Sequence, residues 1–310
     1  AIRSYEQIGA LDESRRGLEL LIETGNQLFV PRDVQAFADA ALRHLEGFFG
    51  APLSAVFYGP SDGGLQGPGG ETPCILAASG DYRELAGKPL SDVGNEALVN
   101  SLRSGLAARR HVFDTGSACL YIGRTHGKEA LIHVDLSRPA TELTLRMIEV
   151  LCVSLGVGFE NVVLFERLRF FAYYDPLTRL PNRTRFLDRI DEELSTLTAG
   201  GWLLGIIDIV RFAELNDALG HRSGDLLLVE VTRRLQAWVG PDALVARVAG
   251  DAFGVCWRSG RETAPAILDV FAVPFTVRGH AIPMRARAGF VDLAPTPGGA
   301  VELLKRANLA

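Results

Sequence analysis

From Pro139 to about Tyr174 the chain keeps a helical pattern without a break, and at 1.5 Å per residue a helix of that length runs to roughly 50 Å. Such an element closes one folded unit and leads towards another. With 310 residues the chain is too long for one ordinary domain and fits two of roughly 150 residues each. Along the helix Leu145, Cys152 and Phe159 recur every seven residues, as do Ile148, Leu155 and Val162. This pattern predicts a coiled-coil seam that pairs two chains in parallel, a homodimer through the helix. The alternative is that the same face packs on its own domain.

The composition, 47% apolar and 22% charged with 33 Gly and 15 Pro, is that of a globular chain with a real core. A net charge of -5 speaks against nucleic acid as a partner, because neutralising phosphates takes clustered Lys and Arg. Arg109-Arg110 and Arg233-Arg234 are too short to reverse that. Cys74, Cys119, Cys152 and Cys256 lie far apart with no C-x-x-C spacing, so reduced, buried thiols are expected rather than a zinc ribbon or a disulfide framework. No run approaches the about 18 to 20 uninterrupted apolar residues of a bilayer span, and the first residues carry no signal-peptide core. No membrane and a cytoplasmic place are therefore expected. The chain opens at Ala1 inside a helical pattern, without an initiator Met, and reads as a piece of something longer.

Ahead of the long helix, Leu18, Leu21, Ile22 and Leu28 predict one helix, and Phe37, Ala41, Leu42 and Leu45 a second after Pro31-Arg32-Asp33. The apolar runs 53–58, 74–78, 118–122 and 130–134 are strand-like. Gly59 to Gly70, rich in Gly and Pro, reads as a solvated hairpin loop, since it lacks the G-x-x-x-x-G-K-[ST] order of a phosphate cradle. His111, His126 and His133 have no metal spacing. This succession resembles a GAF-like sensory domain. The segments Ala1-Ile2-Arg3-Ser4-Tyr5, Ser14-Arg15-Arg16-Gly17-Leu18-Glu19, Gly80-Asp81-Tyr82-Arg83 and Phe159-Glu160-Asn161 resemble an uncharacterised domain that follows receiver domains in bacterial response regulators. The resemblance covers about residues 1–165 and implies a receiver domain ahead of Ala1.

The second half carries a sharper pattern. Asp175-Pro176-Leu177-Thr178-Arg179-Leu180-Pro181-Asn182-Arg183 is a turn-rich segment that should cap a helix from Arg183 to about Leu197. An apolar strand from Trp202 then ends on Asp208, and a carboxylate at the tip of a buried strand is costly unless it is paired or binds a cation. Asn216-Asp217-Ala218-Leu219-Gly220-His221-Arg222-Ser223-Gly224-Asp225 leads into a helix. The strand Leu244–Val248 turns at Ala249-Gly250 into Asp251-Ala252-Phe253-Gly254-Val255-Cys256-Trp257. Two acids, Asp208 at a strand end and Asp251 at a hairpin turn, could meet on adjacent strands to hold Mg²⁺ against a triphosphate.

Over residues 172–310 these motifs, in order and spacing, resemble the GGDEF family of diguanylate cyclases, which have a nucleotidyl-cyclase palm fold. The resemblance implies a metal site at Asp208, the carbonyl of Ile209 and Asp251. It implies guanine contacts from Asn216 and Asp225, with His221 in the same substrate-proximal motif and Ala249 and Gly250 where nucleotide approaches the backbone. An Asn amide and an Asp carboxylate suit guanine, whose edge offers both acceptors and N–H donors; turn and cap roles are the alternative.

The departures bear on activity. Where active members carry Gly-Gly-Asp/Glu-Glu-Phe, this chain reads Ala249-Gly250-Asp251-Ala252-Phe253. Ala249 adds a methyl and threatens strain in the turn, and Ala252 removes the acid assigned to catalysis. Val210 replaces the second acid of Asp-x-Asp, and Ala213 a phosphate-contacting lysine. The R-x-x-D of the product-inhibition site is reduced to Asp242. The expectation is therefore an α/β (α+β) chain. A GAF-like sensory domain (1–165) is joined by a long signalling helix to a palm-like, degenerate GGDEF domain (166–310) whose last helix continues beyond Ala310. That domain is expected to be non-catalytic and regulatory in cyclic di-GMP signalling, with GTP and Mg²⁺ as candidate effectors and an EAL phosphodiesterase domain downstream. The rival readings are an active diguanylate cyclase and a dimerisation scaffold without nucleotide.

Overall fold

The computed structural model describes residues 33–49, 52–60, 73–136, 141–196, 201–258 and 264–309. The expected first helix and nearly all of the Gly-rich loop lie outside the described residues. The chain divides into two compact units, Ala1–Leu168 and Arg169–Ala310.

In the first unit, Asp33 opens helix α1 (Val34–Phe49) by accepting the N–H of Ala36 at 2.7 Å. Five strands follow: β1 (Ala55–Pro60), β2 (Pro73–Ser79), β3 (Val112–Asp114), β4 (Ser117–Thr125) and β5 (Lys128–Asp135). They form an antiparallel sheet in the order β2-β1-β5-β4-β3. Helix α2 (Glu96–Ala108), capped by Asn95, lies between β2 and β3 in sequence. Side chains alternate across the sheet with period two. Ala55, Phe57, Leu120 and Ile132 face α1 and the long helix α3 (Glu142–Tyr173), whereas Val56, Tyr58, Cys119 and Leu131 face α2. The sheet is thus buried on both faces, which explains why its strands read as continuous apolar runs.

Helix α3 corrects one expectation. Ile148, Cys152, Leu155, Phe159 and Val162 are all buried, in one core with α1 and the sheet. The heptad stripe read as a seam between two chains is therefore the inner face of the helix. A Cβ on Gly156 would stand 2.8 Å from the carbonyl oxygen of Ile122, so the missing side chain lets the helix lie close on β4. Seven residues are nearly two turns of 3.6, and over so few repeats a sheet-facing stripe and an interchain seam give the same spacing. Among the described residues α3 is also the one helix long and apolar enough to cross a membrane by length and composition. Packing of its inner face on the sheet accounts for part of that apolarity.

The second unit begins with helix α4 (Arg183–Thr196), capped by Asn182, whose Oδ1 accepts the N–H of Arg185. Strand β6 (Trp202–Ile209) and helices α5 (Phe212–Leu219) and α6 (His221–Val239) follow, then strands β7 (Leu244–Arg247) and β8 (Ala252–Arg258). The short strands β9 (Phe275–Val277) and β10 (His280–Ile282) pair with each other, and β11 (Ala286–Asp292) and helix α7 (Gly299–Leu309) complete the unit. The main sheet runs β11-β6-β8-β7, antiparallel throughout. One face is covered by α6 through Leu227, Val231 and Leu235, and the other by α4 and α7 through Phe186, Ile190, Leu303 and Leu304. Gly254 on β8 is required by this packing, because a Cβ there would stand 2.7 Å from the ring of Phe186. All four cysteines are free and buried, and burial pushes the thiols of Cys152 and Cys256 up to about 12.

Candidate nucleotide and metal site

The end of the central sheet assembles the acids singled out by sequence. Asp208 is the penultimate residue of β6 and sits between two partners at the same level, Ala252 on β8 and Arg287 on β11. Directly paired residues of an antiparallel ladder project to the same face. The row across the sheet is therefore Arg287, Asp208, Ala252. Arg287 closes on its neighbour, donating Nε–H to Asp208 Oδ2 at 2.7 Å. The costly strand-end carboxylate is thus paired within the chain. Ile209 is buried, and its N–H donates to the backbone carbonyl of Asp251 at 3.2 Å. That bond ties the end of β6 to the hairpin turn, and Val210 N–H extends the tie on the other side to the carbonyl of Arg285.

The turn departs from expectation in two ways. Ala249 and Gly250 are both exposed, and neither has a positive φ. Ala249 is therefore unstrained, and a Cβ at Gly250 would meet nothing within 4 Å. Left-handed geometry is not what this turn asks of its residues. It is held instead by Val248 and Ala249 N–H donating to the carbonyl of Ala252, and by Arg247. The Arg247 guanidinium donates to the carbonyl of Gly250 through Nε and Nη2 and to both carboxylate oxygens of Asp175 through Nη1. Asp175 also accepts the N–H and hydroxyl of Thr178. Burial alone raises its carboxyl, but the bonds from Thr178 and Arg247 outweigh it and hold the group below the usual carboxylate value.

The remaining site residues lie on α5 and α6. Asn216 belongs to α5, and its carbonyl accepts the N–H of Gly220. Its side-chain Oδ1 is buried without a hydrogen-bond partner. A Cβ on Gly224 would stand 1.8 Å from that oxygen, so a glycine in the first turns of α6 is what leaves room for the Asn216 amide. His221 is the first residue of α6 and Asp225 its fifth, and both are exposed. Gly220 precedes the helix as its cap, so Asp225 does not cap it.

Sequence reasoning missed Arg287 and the Arg247–Asp175 link. The alternation Arg285-Ala286-Arg287 marks a strand with basic residues at every second position, but only the register of β11 on β6 puts one of them opposite Asp208.

Residues 172–310 match the family described as diguanylate cyclase, GGDEF domain. This part of the chain is a GGDEF domain. Residues 1–168 match a domain of unknown function, DUF3369. The first half belongs to that family, and the family matched is DUF3369 rather than GAF. The chain is 36% identical over 151 residues to the cyclic di-GMP phosphodiesterase NbdA of Pseudomonas aeruginosa, covering 46% of this chain and 19% of the relative. It is 33% identical over 222 residues to the bifunctional diguanylate cyclase/cyclic di-GMP phosphodiesterase MucR of the same organism, covering 65% of this chain and 31% of MucR. The matched stretch thus spans about a fifth to a third of these relatives. A solved structure of the coiled coil and GGDEF domain of DgcB from Caulobacter crescentus in complex with c-di-GMP is similar at 23% identity and a TM-score of 0.44, over 55% of this chain and 92% of that one.

A GGDEF domain implies Mg²⁺ with its nucleotide, and Mg²⁺ asks for near-octahedral oxygen ligands. The residues at the sheet end do not fit it. Among the described residues no three His, Cys, Asp or Glu side chains group to hold a metal, Ala252 supplies a methyl beside Asp208, and Arg287 pairs with Oδ2 of Asp208.

Proposed function

We propose that this chain is the regulatory part of a cyclic di-GMP signalling protein. Its GGDEF domain is catalytically silent and passes on a change received by the DUF3369 unit. The observation that carries this reading is the row Arg287, Asp208, Ala252. Phosphoryl transfer to a ribose hydroxyl needs an acid or base at the attacking oxygen and a cation at the phosphates. An acid–base carboxylate is worth about 10²- to 10⁴-fold, and the side chain beside Asp208 is a methyl. Similarity to NbdA and MucR supports a place in cyclic di-GMP turnover. In the intact protein the reading puts a receiver domain before this chain and an EAL domain after it. Incubation of the protein with GTP and Mg²⁺, followed by anion-exchange chromatography, should yield no cyclic di-GMP. Product that disappears in Asp251→Ala would make it an active cyclase.

The buried, unpartnered Oδ1 of Asn216 favours a second reading, in which guanine nucleotide is held as an effector. The N1–H and N2–H of guanine are the donors such an acceptor lacks. Equilibrium dialysis with GTP in EDTA tests it: binding lost in Asn216→Ala supports the reading, and absence of binding at millimolar GTP removes it.

A further inference from the structure

We propose that the open edge of β4 and the side of α3 beside it form a groove that binds an extended peptide as an added strand, with acidic side chains on one face of that strand and apolar side chains on the other. The edge is open because β3 is short. β3 pairs with β4 only from Ser117 to Cys119, whereas β4 runs on to Thr125 with β5 alone beside it. At Tyr121 a side chain stands in for the missing strand: Nδ1 of His111, the residue ahead of β3, accepts the Tyr121 N–H at 3.2 Å. The register then shifts between Tyr121 and Gly123, a bulge of the kind that ends one pairing and re-aims the strand. Thr125 and Lys128 close the two-residue turn His126-Gly127, both at positive φ, the mark of a type I′ hairpin. Counted back from that closing pair, the alternation of an antiparallel ladder turns the N–H and C=O of Arg124 away from β5, towards the open side.

A cavity of about 340 Å³ lies along this edge, within the roughly 300–1,000 Å³ of ordinary binding pockets. Its walls include every residue from Tyr121 to Thr125 on the strand and Val153, Val157 and Glu160 on the helix. Neighbouring side chains of a strand point to opposite faces, so five consecutive residues line one cavity only where the strand turns its backbone edge towards it. At Gly123 the wall is bare backbone, since a Cβ there would meet nothing within 4 Å. An open edge of N–H and C=O groups is a template for another strand, and the ligand that satisfies it is itself an extended backbone.

Charge selects the side chains of that strand. Arg124 is paired directly with Glu129 on β5, two residues from Leu131, which faces α2. There Glu129 serves two guanidiniums, Arg109 at 2.9 Å and Arg124 at 3.8 Å, both about half exposed. One positive charge is left over beside the edge. On the α3 side stand Val153 and Val157, 68% and 47% exposed, and the exposed Glu160. An added strand alternates as its host does, so its acids face Arg124 and its apolar side chains lie against the two valines. Glu160 repels an acid placed in the opposite register. The docking does not depend on whether the GGDEF domain turns over or binds nucleotide.

The test is fluorescence anisotropy of this chain with a fluorescein-labelled, C-terminally amidated peptide, Asp-Leu-Asp-Val-Asp. The wild type should bind it with half-saturation below about 1 mM, and the same peptide methylated on its backbone nitrogens should not bind. Gly123→Phe, which fills the cavity from a position where a side chain meets nothing, should lose binding and keep its melting temperature. Arg124→Glu should weaken binding about tenfold or more and prefer Lys-Leu-Lys-Val-Lys. No binding by the wild type at about 1 mM overturns the proposal, as does equal binding of the acidic and basic peptides or undiminished binding by Gly123→Phe. Equal binding of the methylated peptide would overturn it by making the groove a side-chain pocket without strand pairing. A dimer in light scattering that Gly123→Phe dissolves would overturn it by giving the edge to a second copy.

Discussion

The two faces of α3 make opposite demands on substitution. Leu155 is fully buried in the core shared by α1, the sheet and α3. Replacing such a leucine by alanine removes its transfer free energy and leaves a cavity that close packing relaxes only in part, about 3 kcal/mol in a range of about 2.7–5. For a unit of this size each kcal/mol lowers the melting temperature by about 2–4 °C, so Leu155→Ala should melt about 6–12 °C lower. Val157, two residues on, is 47% exposed, and Val157→Ala should shift the melt by about 2 °C or less. Differential scanning calorimetry of both variants with the wild type separates the cases. A Leu155→Ala protein that keeps its melting temperature would refute the assignment of the inner face to the core.

Gly224→Ala places a methyl on Asn216 Oδ1 and close to the ring of Phe212, and it should cost about 1–3 kcal/mol; a denaturant melt of the protein reads this, and an unchanged midpoint would show the Asn216 amide to be mobile. Electron paramagnetic resonance of Mn²⁺ should detect no ordered binding by the wild type. The double variant Ala252→Glu, Arg287→Ser, which adds a carboxylate and frees Asp208, should bind Mn²⁺, and equal behaviour of the two would dismiss Arg287 as the occupant of the site. The imidazole of His133, bonded to Ser101 and Asp135, is lowered by burial despite Asp135, and His44 and His111 are lowered chiefly by burial as well. A lowered histidine binds fewer protons folded than unfolded, so the first unit should keep its stability above about pH 6.5 and lose it progressively below. Thermal melts between about pH 7.5 and pH 5 check this, and His133→Gln should flatten the slope.

Much of the fold was legible because apolar runs and punctuation are local. Phe37, Ala41 and Leu45 announce α1, and the runs at 53–58, 74–78, 118–122 and 130–134 announce the strands β1, β2, β4 and β5. That Asp208 and Asp251 stand at the same end of the sheet was legible, because one lies at the end of an apolar strand and the other at the turn that opens the next, and the backbone bond from Ile209 to Asp251 joins their segments. What the chain does not announce locally is register. Arg287 stands 79 residues from Asp208, and its role depends on how β11 slides on β6. The same limit governs α3. Leu155 and Val157 are both apolar, and only the presence of a sheet beside Gly156 determines which of them is inside. Ala249 misleads in the other direction: a family glycine suggests a special backbone, whereas the turn has ordinary φ values.

The central claim is that a GGDEF domain with alanine beside Asp208 performs no chemistry, and a stoichiometric assay tests it most directly. Radiolabelled GTP is incubated overnight with Mg²⁺ and protein in excess over nucleotide, so that even one turnover per site is visible on thin-layer chromatography. Intact GTP is the expected result for the wild type. Labelled cyclic di-GMP that forms with the wild type and vanishes with Asp251→Ala would contradict the claim.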